Sequence, residues 1–249
     1  MEPPVGDEEY NLDEIFPTYK LDYESVTKNF DSGYIGDCSI ISQKFHNDEE
    51  NKFVNPCLKF IHYLKYIKKN LSIVDKKKSC KYFNYMLMYE LQKIDNSFER
   101  TNECYNTMIN EYSNKTHGID ICKGNIEEFN KVIFDKFQKI DSLYDIFYKF
   151  TSTQEEGGSE KCDLGKKCSE QYYTLINICD QNSNIGFCMA LDKFRDSYNF
   201  HMKNESEKKS KIRNDLYEES RNLKNNDNIK KNNSKNSPLN IQYHSSENS

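Results

Sequence analysis

The chain has no tryptophan, no long apolar run and no excess of positive charge. Nothing in it approaches the ~18–20 uninterrupted apolar residues that a membrane-spanning helix needs, so no transmembrane anchor is expected in this sequence. Net charge is −5 at pH 7. A general nucleic-acid binder instead presents a dense basic face that displaces counterions, so nucleic acid is not an expected partner, although a local basic patch stays compatible with this balance. The opening MEPPVGDEEYNLDE is acidic and lacks the basic and apolar regions of a secretory signal. Period-two alternation of any length is missing, and so is an internal repeat. No nucleophile elbow, phosphate-binding glycine loop, HExxH helix or EF-hand loop occurs. Neither an enzyme nor a cofactor is expected.

What remains is a polar chain with clustered apolar residues. Of its 249 residues, 36% are hydrophobic and 30% charged. The 18 tyrosines and 15 phenylalanines supply enough clustered aromatic mass for a sizeable core. Asparagine, lysine, isoleucine and tyrosine are abundant, as an AT-rich coding sequence would yield.

Nine cysteines point to an oxidising destination: Cys38, Cys57, Cys80, Cys104, Cys122, Cys162, Cys168, Cys179 and Cys188. They are spread along the core-forming part and absent from the C-terminal tail. Structural disulfides are the favoured reading, with buried thiols and a metal site as the alternatives. Spacing does not give the connectivity, and an odd number leaves at least one thiol unpaired or bridged to another chain. Cys162, Cys168, Cys179 and Cys188 fall within 27 residues, but structural zinc sites favour ligand pairs two to four residues apart, and none occurs.

Helical spacing dominates the pass along the chain. LDEIF is a candidate short helix, followed by a weak helical stretch around Tyr23–Phe30 and a glycine-containing loop at 31–52. NPCLKFIHYLKYIKKNL reads as a helix capped by Asn55, with Pro56 in its first turn. Cys57, Phe60, Ile61, Leu64, Ile67 and Leu71 form its stripe, and Lys65, Lys68 and Lys69 suit the negative C-terminal end. In CKYFNYMLMYEL, Cys80, Phe83, Leu87 and Leu91 recur at three- and four-residue spacing, while Tyr82, Tyr85, Met86 and Tyr89 occupy the other sides. A helix apolar nearly all round is buried among other helices. A helix follows to about Asn114, then a loop at 113–124. The next helix has Asn125 and Glu128 in capping-box geometry and a stripe of Ile126, Phe129, Ile133, Phe137, Ile140, Tyr144 and Phe147. Gly157 and Gly158 mark the tip of a flexible connection over 151–167. Two more helices carry Tyr172, Leu175, Ile176 and Cys179, then Leu191, Phe194 and Tyr198. A helical domain is expected over 1–203. A charged, Asn-rich extension and disordered tail over 204–249 lacks the apolar content to offset ordering.

Candidate chemistry is thin. His46, His62, His117, His201 and His244 lie in no catalytic setting, and His62 reads as a helix-surface or interface residue. Glu127 and Glu128, like Glu8 and Glu9, read as solvated or helix-N-terminal charges. The basic run at Lys208–Arg213 is a candidate contact for anionic lipid or a cytoskeletal partner, diluted by Glu205, Glu207 and Asp215.

Four segments resemble the Plasmodium interspersed repeat (PIR) family, especially the VIR-type variant antigens of malaria parasites. LDEIFPTYKLDYE is similar to the family's opening motif. CLKFIHYLKYIKKNL and CKYFNYMLMYEL resemble its paired Cys-led segments. FQKIDSLYDIFYKF resembles its Lys-Leu-Tyr-Asp motif. CSEQYYTLINICDQNSNIGFCMALDKFRDSY follows its Cys, Tyr, Tyr, Cys, Phe-Cys, Leu, Phe and Tyr order. Together they cover roughly residues 10–200. Met86 and Met88 flank the position where the family commonly has tryptophan, and a polar tail stands where many members have a membrane helix. RNLKN at Arg221–Asn225 is only superficially similar to an export pentamer.

The resemblance implies a protein exported to the infected red cell, at its surface or in its cytosol, with proposed roles in antigenic variation, adhesion (cytoadhesion) and immune interaction, including immune evasion. The expectation is an all-α, disulfide-stapled multi-helix bundle without enzymatic activity that meets a host receptor or antibody through the loops at 31–52, 113–124 and 151–167. The alternative is a soluble exported structural or trafficking protein inside the red-cell cytosol.

Overall fold

The computed structural model describes residues 11–29, 32–46, 51–95, 100–112, 118–127, 131–153, 158–179 and 185–207. The described residues form helices and the turns between them, with no strand among them. The all-α expectation therefore holds. The chain divides into two compact units, Met1–Asp196 and Ser197–Ser249.

In the first unit the order is α1 (Leu12–Ile15), α2 (Thr18–Thr27), a 3-10 turn (Ser32–Tyr34), α3 (Ile35–His46), α4 (Val54–Lys69), α5 (Lys76–Asp95), α6 (Thr101–Glu111), a second 3-10 turn (Asp120–Cys122), α7 (Lys131–Ser152) and α8 (Gly158–Ile176). Helix α9 covers 185–207, and its first part, to Asp196, belongs to this unit. In the second unit the described residues are the helical stretch 197–207. Phe200 and Met202 are exposed there, and Lys203 pairs with Glu207 at 3.9 Å.

Helix α5 occupies the centre, packed by α1, α2, α4 and α6. Cys80, Tyr82, Phe83, Tyr85, Leu87, Met88 and Leu91 are all buried on it, so side chains from more than one face are covered, as its all-round apolar pattern predicts. Aromatic rings fill the space that tryptophan does not. Phe16 lies 5.8 Å from Tyr82, 5.9 Å from Phe137 and 5.9 Å from Tyr144. Phe60, Phe83 and Tyr105 continue edge-to-face at 5.4 and 5.3 Å, a favoured arrangement for aromatic quadrupoles. Phe194 of α9 meets Tyr144 at 5.4 Å and Phe147 at 5.5 Å.

Three disulfides join these elements. Cys38–Cys57 ties α3 to the first turn of α4, Cys80–Cys122 ties α5 to the second 3-10 turn, and Cys179–Cys188 links the segment after α8 to α9. Cys104, Cys162 and Cys168 take no part in them.

Several local expectations are corrected. The presumed loop at 31–52 contains α3, and 158–167 is the first half of α8 rather than a flexible connection. Gly165 explains the second difference. It faces the Phe150 ring of α7, where an added Cβ would lie 3.1 Å from the ring edge, so glycine there permits helix contact instead of a turn. Helix α4 begins at Val54 with Phe53 at the cap position and no side-chain cap bond. Asn55 is therefore not the cap, and Pro56 stands third in the helix, still within the turn whose N–H groups lack intrahelical partners. Leu71 lies beyond α4 and is 49% exposed. Helix α6 stops at Glu111. Asn125 lies outside α7 in an irregular stretch after the second turn, its N–H bonded to the Cys122 carbonyl. Glu128, Phe129, His117, His244, Gly157, the basic run at Lys208–Arg213, the 113–117 part of the loop at 113–124 and the tail at 208–249 lie outside the described residues.

Candidate functional site

Two polar constellations stand out against this core. The first is buried. Lys20 of α2 is 3% exposed, and its ammonium lies 2.9 Å from Glu24 Oε1, 2.9 Å from Asp141 Oδ1 and 2.6 Å from Asp145 Oδ1. The Tyr82 hydroxyl donates to Asp141 Oδ1 at 3.2 Å. Asp141 and Asp145 are one helical turn apart on α7, and Glu24 is one turn beyond Lys20, so helical spacing aims three carboxylates at one cation.

Burial works against the Lys20 charge, but Asp141 and Asp145, with Glu24, outweigh it and hold the ammonium above its ordinary pKa. Burial likewise pushes the Asp141 carboxyl up, and Lys20 offsets only part of that rise. A lysine held in its charged form is the opposite of the depressed lysine that serves as base or nucleophile. The cluster ties α2 to α7.

The second constellation is open to solvent. The outward face of α4 borders a groove of about 550 Å³, lined among the described residues by His62, Lys65, Tyr66, Lys68, Lys69 and Asn70. The inward face of the same helix carries Cys57, Phe60, Ile61, Leu64 and Ile67, all buried. Core packing therefore fixes which residues face out. Lys65 donates to the Tyr34 hydroxyl, and its ammonium sits 4.5 Å from the centre of that ring. The Tyr34 ring also meets His62 at 5.7 Å and Tyr112 at 5.7 Å. Lys68 donates to the Gly118 carbonyl at 3.1 Å and pairs loosely with Asp120 at 3.7 Å. Burial, followed by the Asp22 charge, pushes the Tyr66 hydroxyl above its usual pKa.

Both turns beside this face are fixed from below. The turn Ser32–Tyr34 leads into α3, which Cys38–Cys57 joins to α4. The turn Asp120–Cys122 is held by Cys80–Cys122. It is held again by Tyr105, whose hydroxyl donates to the Ile119 carbonyl at 2.6 Å and accepts from the Cys122 N–H at 3.0 Å.

Six of the nine cysteines are thus brought together in pairs. Cys162 is exposed on α8, Cys168 is buried with its thiol pushed up to about 11 by burial, and Cys104 is buried on α6. The Cys179–Cys188 bond removes two members of the only four-cysteine cluster considered for zinc. Among the presenting loops expected from sequence, Ser32–Tyr34 and Gly118–Asp120 do flank the groove. Reading the lysines as dipole partners missed the groove. The usable signal was that His62, Lys65, Tyr66 and Lys69 share one face at spacings of three and four.

No family model matches the chain, and no curated protein or solved structure matches it either.

Proposed function

We propose that this chain is a non-enzymatic binding module of the PIR type, a variant antigen exported to the infected red cell, whose disulfide-stapled helical scaffold presents a recognition surface to host molecules. The observation that carries the reading is the set of three disulfides joining α3 to α4, α5 to the Asp120–Cys122 turn, and the end of α8 to α9. Disulfides persist in oxidising surroundings and are rare in a reducing cytosol. The resemblance of four ordered segments to PIR proteins supports the same compartment. A rigid helical frame that fixes short turns also suits recognition.

Two measurements test it. Mass mapping of thiols in parasite-derived protein should find Cys38, Cys57, Cys80, Cys122, Cys179 and Cys188 oxidised; nine reduced thiols would end the host-facing reading. External protease applied to intact infected cells should remove the protein. Survival of the full chain would instead favour a soluble exported protein in the red-cell cytosol.

A further inference from the structure

We infer that the turn joining α4 to α5 is a docking tip for a bilayer surface that carries anionic lipid. The inference goes beyond the proposed host-facing role and does not depend on it. The tip is also separate from the basic run at Lys208–Arg213, which lies outside the described residues.

Ile73 is 83% exposed, more than any other large apolar side chain among the described residues, and Leu71 beside it is 49% exposed. Fraying does not account for them, because the turn is tied down. The Ile73 and Val74 N–H groups both donate to the Asn70 carbonyl at 2.9 Å. Asn70 in turn donates its N–H to the Tyr66 and Ile67 carbonyls at 3.0 and 3.2 Å, and its side-chain amide to Tyr66 at 2.8 Å. On the other side, Asp75 Oδ1 accepts from the Lys78 N–H at 3.1 Å and so caps α5. A hydrogen-bonded turn therefore holds two aliphatic side chains out in water. Contiguous apolar groups rimmed by polar residues mark contact surfaces.

Charge selects the partner. Lys68 and Lys69 lead into the tip, and Lys76, Lys77 and Lys78 lead out of it, with Asp75 the acid between them. The last three stand in the first turn of α5, where the helix dipole disfavours cations, so helix energetics do not explain them. The neighbouring acids meet only two of these five lysines. Asp120 pairs with Lys68 at 3.7 Å, and Glu14 and Asp75 pair with Lys78 at 3.0 and 3.8 Å. Asp22 acts on Tyr66. Lys69, Lys76 and Lys77 are exposed and have no ion-pair partner among the described residues.

Three free ammonium groups around two exposed aliphatic side chains fit a bilayer interface. Lysine stems lie along apolar surface while their charges stay at the headgroups, and each lysine near an anionic surface strengthens binding by roughly fivefold. Tyr66, half-buried one helical turn before Asn70, supplies an amphipathic ring of the kind enriched at that level. Two apolar side chains fall far short of the roughly 800 Å² that each partner commits to a stable protein interface, whereas insertion into lipid needs no matching surface. The net charge of −5 repels the rest of the molecule from anionic lipid and so favours docking tip first.

The test is flotation of the full 249-residue chain with phosphatidylcholine vesicles, with and without phosphatidylserine as the minor component. Binding should be about tenfold or more tighter with phosphatidylserine present. Ile73→Asp should weaken that binding by about tenfold or more, and so should the triple variant Lys69→Gln/Lys76→Gln/Lys77→Gln. Val132→Asp, at a 57% exposed residue of α7, should leave it within about twofold. Because the chain has no tryptophan, Ile73→Trp supplies a single reporter. Its emission should move to the blue on the mixed vesicles, while that of Val132→Trp should not. Unchanged far-ultraviolet circular dichroism checks that each variant is folded. Absence of flotation, equal flotation with both vesicle types, or equal losses for Ile73→Asp and Val132→Asp overturns the inference. Unmoved Ile73→Trp emission in floated protein overturns it too, since another surface would then be reaching the lipid.

Discussion

Replacing Lys20 with methionine isolates the buried charge cluster from the rest of the core. Methionine keeps the length and apolar stem but removes the cation, leaving Asp141 enclosed and beside Asp145. Only Lys20 and Asp141 are deeply covered; the side chains of Glu24 and Asp145 are 44% and 47% exposed and can return to water. The half-exposed pairs are therefore worth about 0–1 kcal/mol each. The dominant loss comes from orphaning Asp141, where breaking a buried pair costs roughly 3–5 kcal/mol. Lys20→Met should lower unfolding free energy in urea by about 3–4 kcal/mol. Asp141→Asn should cost less, about 1–2 kcal/mol, because Lys20 keeps two carboxylates. The double variant Lys20→Met/Asp141→Leu should recover most of the single loss. The deficit of Lys20→Met should also depend on pH. Without Lys20, burial holds the folded-state carboxyl of Asp141 above its unfolded value, so the folded variant binds the proton more tightly. Its stability is then greatest below the unfolded pKa and falls as pH rises through the folded one, by at most about 1.4 kcal/mol per unit. The deficit must shrink as pH is lowered from 7 toward about 4, the unfolded carboxyl value. A Lys20→Met protein within about 0.5 kcal/mol of the parent at both pH values would refute the reasoning, since surface substitutions behave that way.

Burial raises the hydroxyl pKa of Tyr23, Tyr63, Tyr82 and Tyr85. Their contribution is complete below about pH 10 and is lost above it, at roughly 5 kcal/mol per pH unit for the four together; tyrosinate absorbance should rise in one step with loss of helical circular dichroism, not gradually before it. Alanine replacement of both partners should destabilise in the order Cys80–Cys122, Cys38–Cys57, Cys179–Cys188, because the closed loops span 42, 19 and 9 residues, giving about 4, 3 and 2.5 kcal/mol by loop entropy, read from urea midpoints. A thiol reagent should modify Cys162 rapidly in the native protein, and Cys104 and Cys168 only on unfolding, as peptide mapping would locate. Leu87→Asp, at a fully buried position, should cost roughly 4 kcal/mol or more and lower the melting temperature steeply.

The helical architecture was legible because apolar residues recur at three- and four-residue spacing through α4, α5 and α7, and one helix face can bury only what that period supplies. Leu71 carried the period past the true end of α4, since periodicity alone does not see the Asn70 cap. Glycine misled at 157–165, because its two uses, turning a chain and admitting a neighbouring ring, look alike until Phe150 is placed against Gly165. Lys20 gave no warning. In FPTYKLDYE it looks like any surface lysine, and its burial depends on Asp141, 121 residues away. Asp141 was more readable in retrospect, since it stands between Phe137 and Tyr144 on the buried side of α7. The cysteine pairs were unreadable for the same reason: each bond reports a long-range approach of helices, and spacing encodes none.

The groove and the disulfides are linked through one helix. Core contacts hold the inward stripe of α4 from Cys57 to Ile67, so the helix has little freedom to rotate and Lys65 and Lys69 keep a fixed separation. At its start, Cys57 is bonded to α3, which carries the Tyr34 turn against His62 and Lys65. Near its end, Lys68 meets Gly118 and Asp120, at the turn that Cys122 fastens to α5. The two bridges therefore bound the outward face at opposite ends, with the lysines between them. Reduction would leave the apolar stripe of α4 in place, because hydrophobic burial does not depend on the bridges. It would remove the covalent tie behind each turn, leaving the Asp120–Cys122 turn on the Tyr105 hydroxyl and the Ser32–Tyr34 turn on the Tyr34 ring contacts. The two turns beside the groove therefore rest on a disulfide and on side-chain contacts together, while the helix between them rests on its buried stripe.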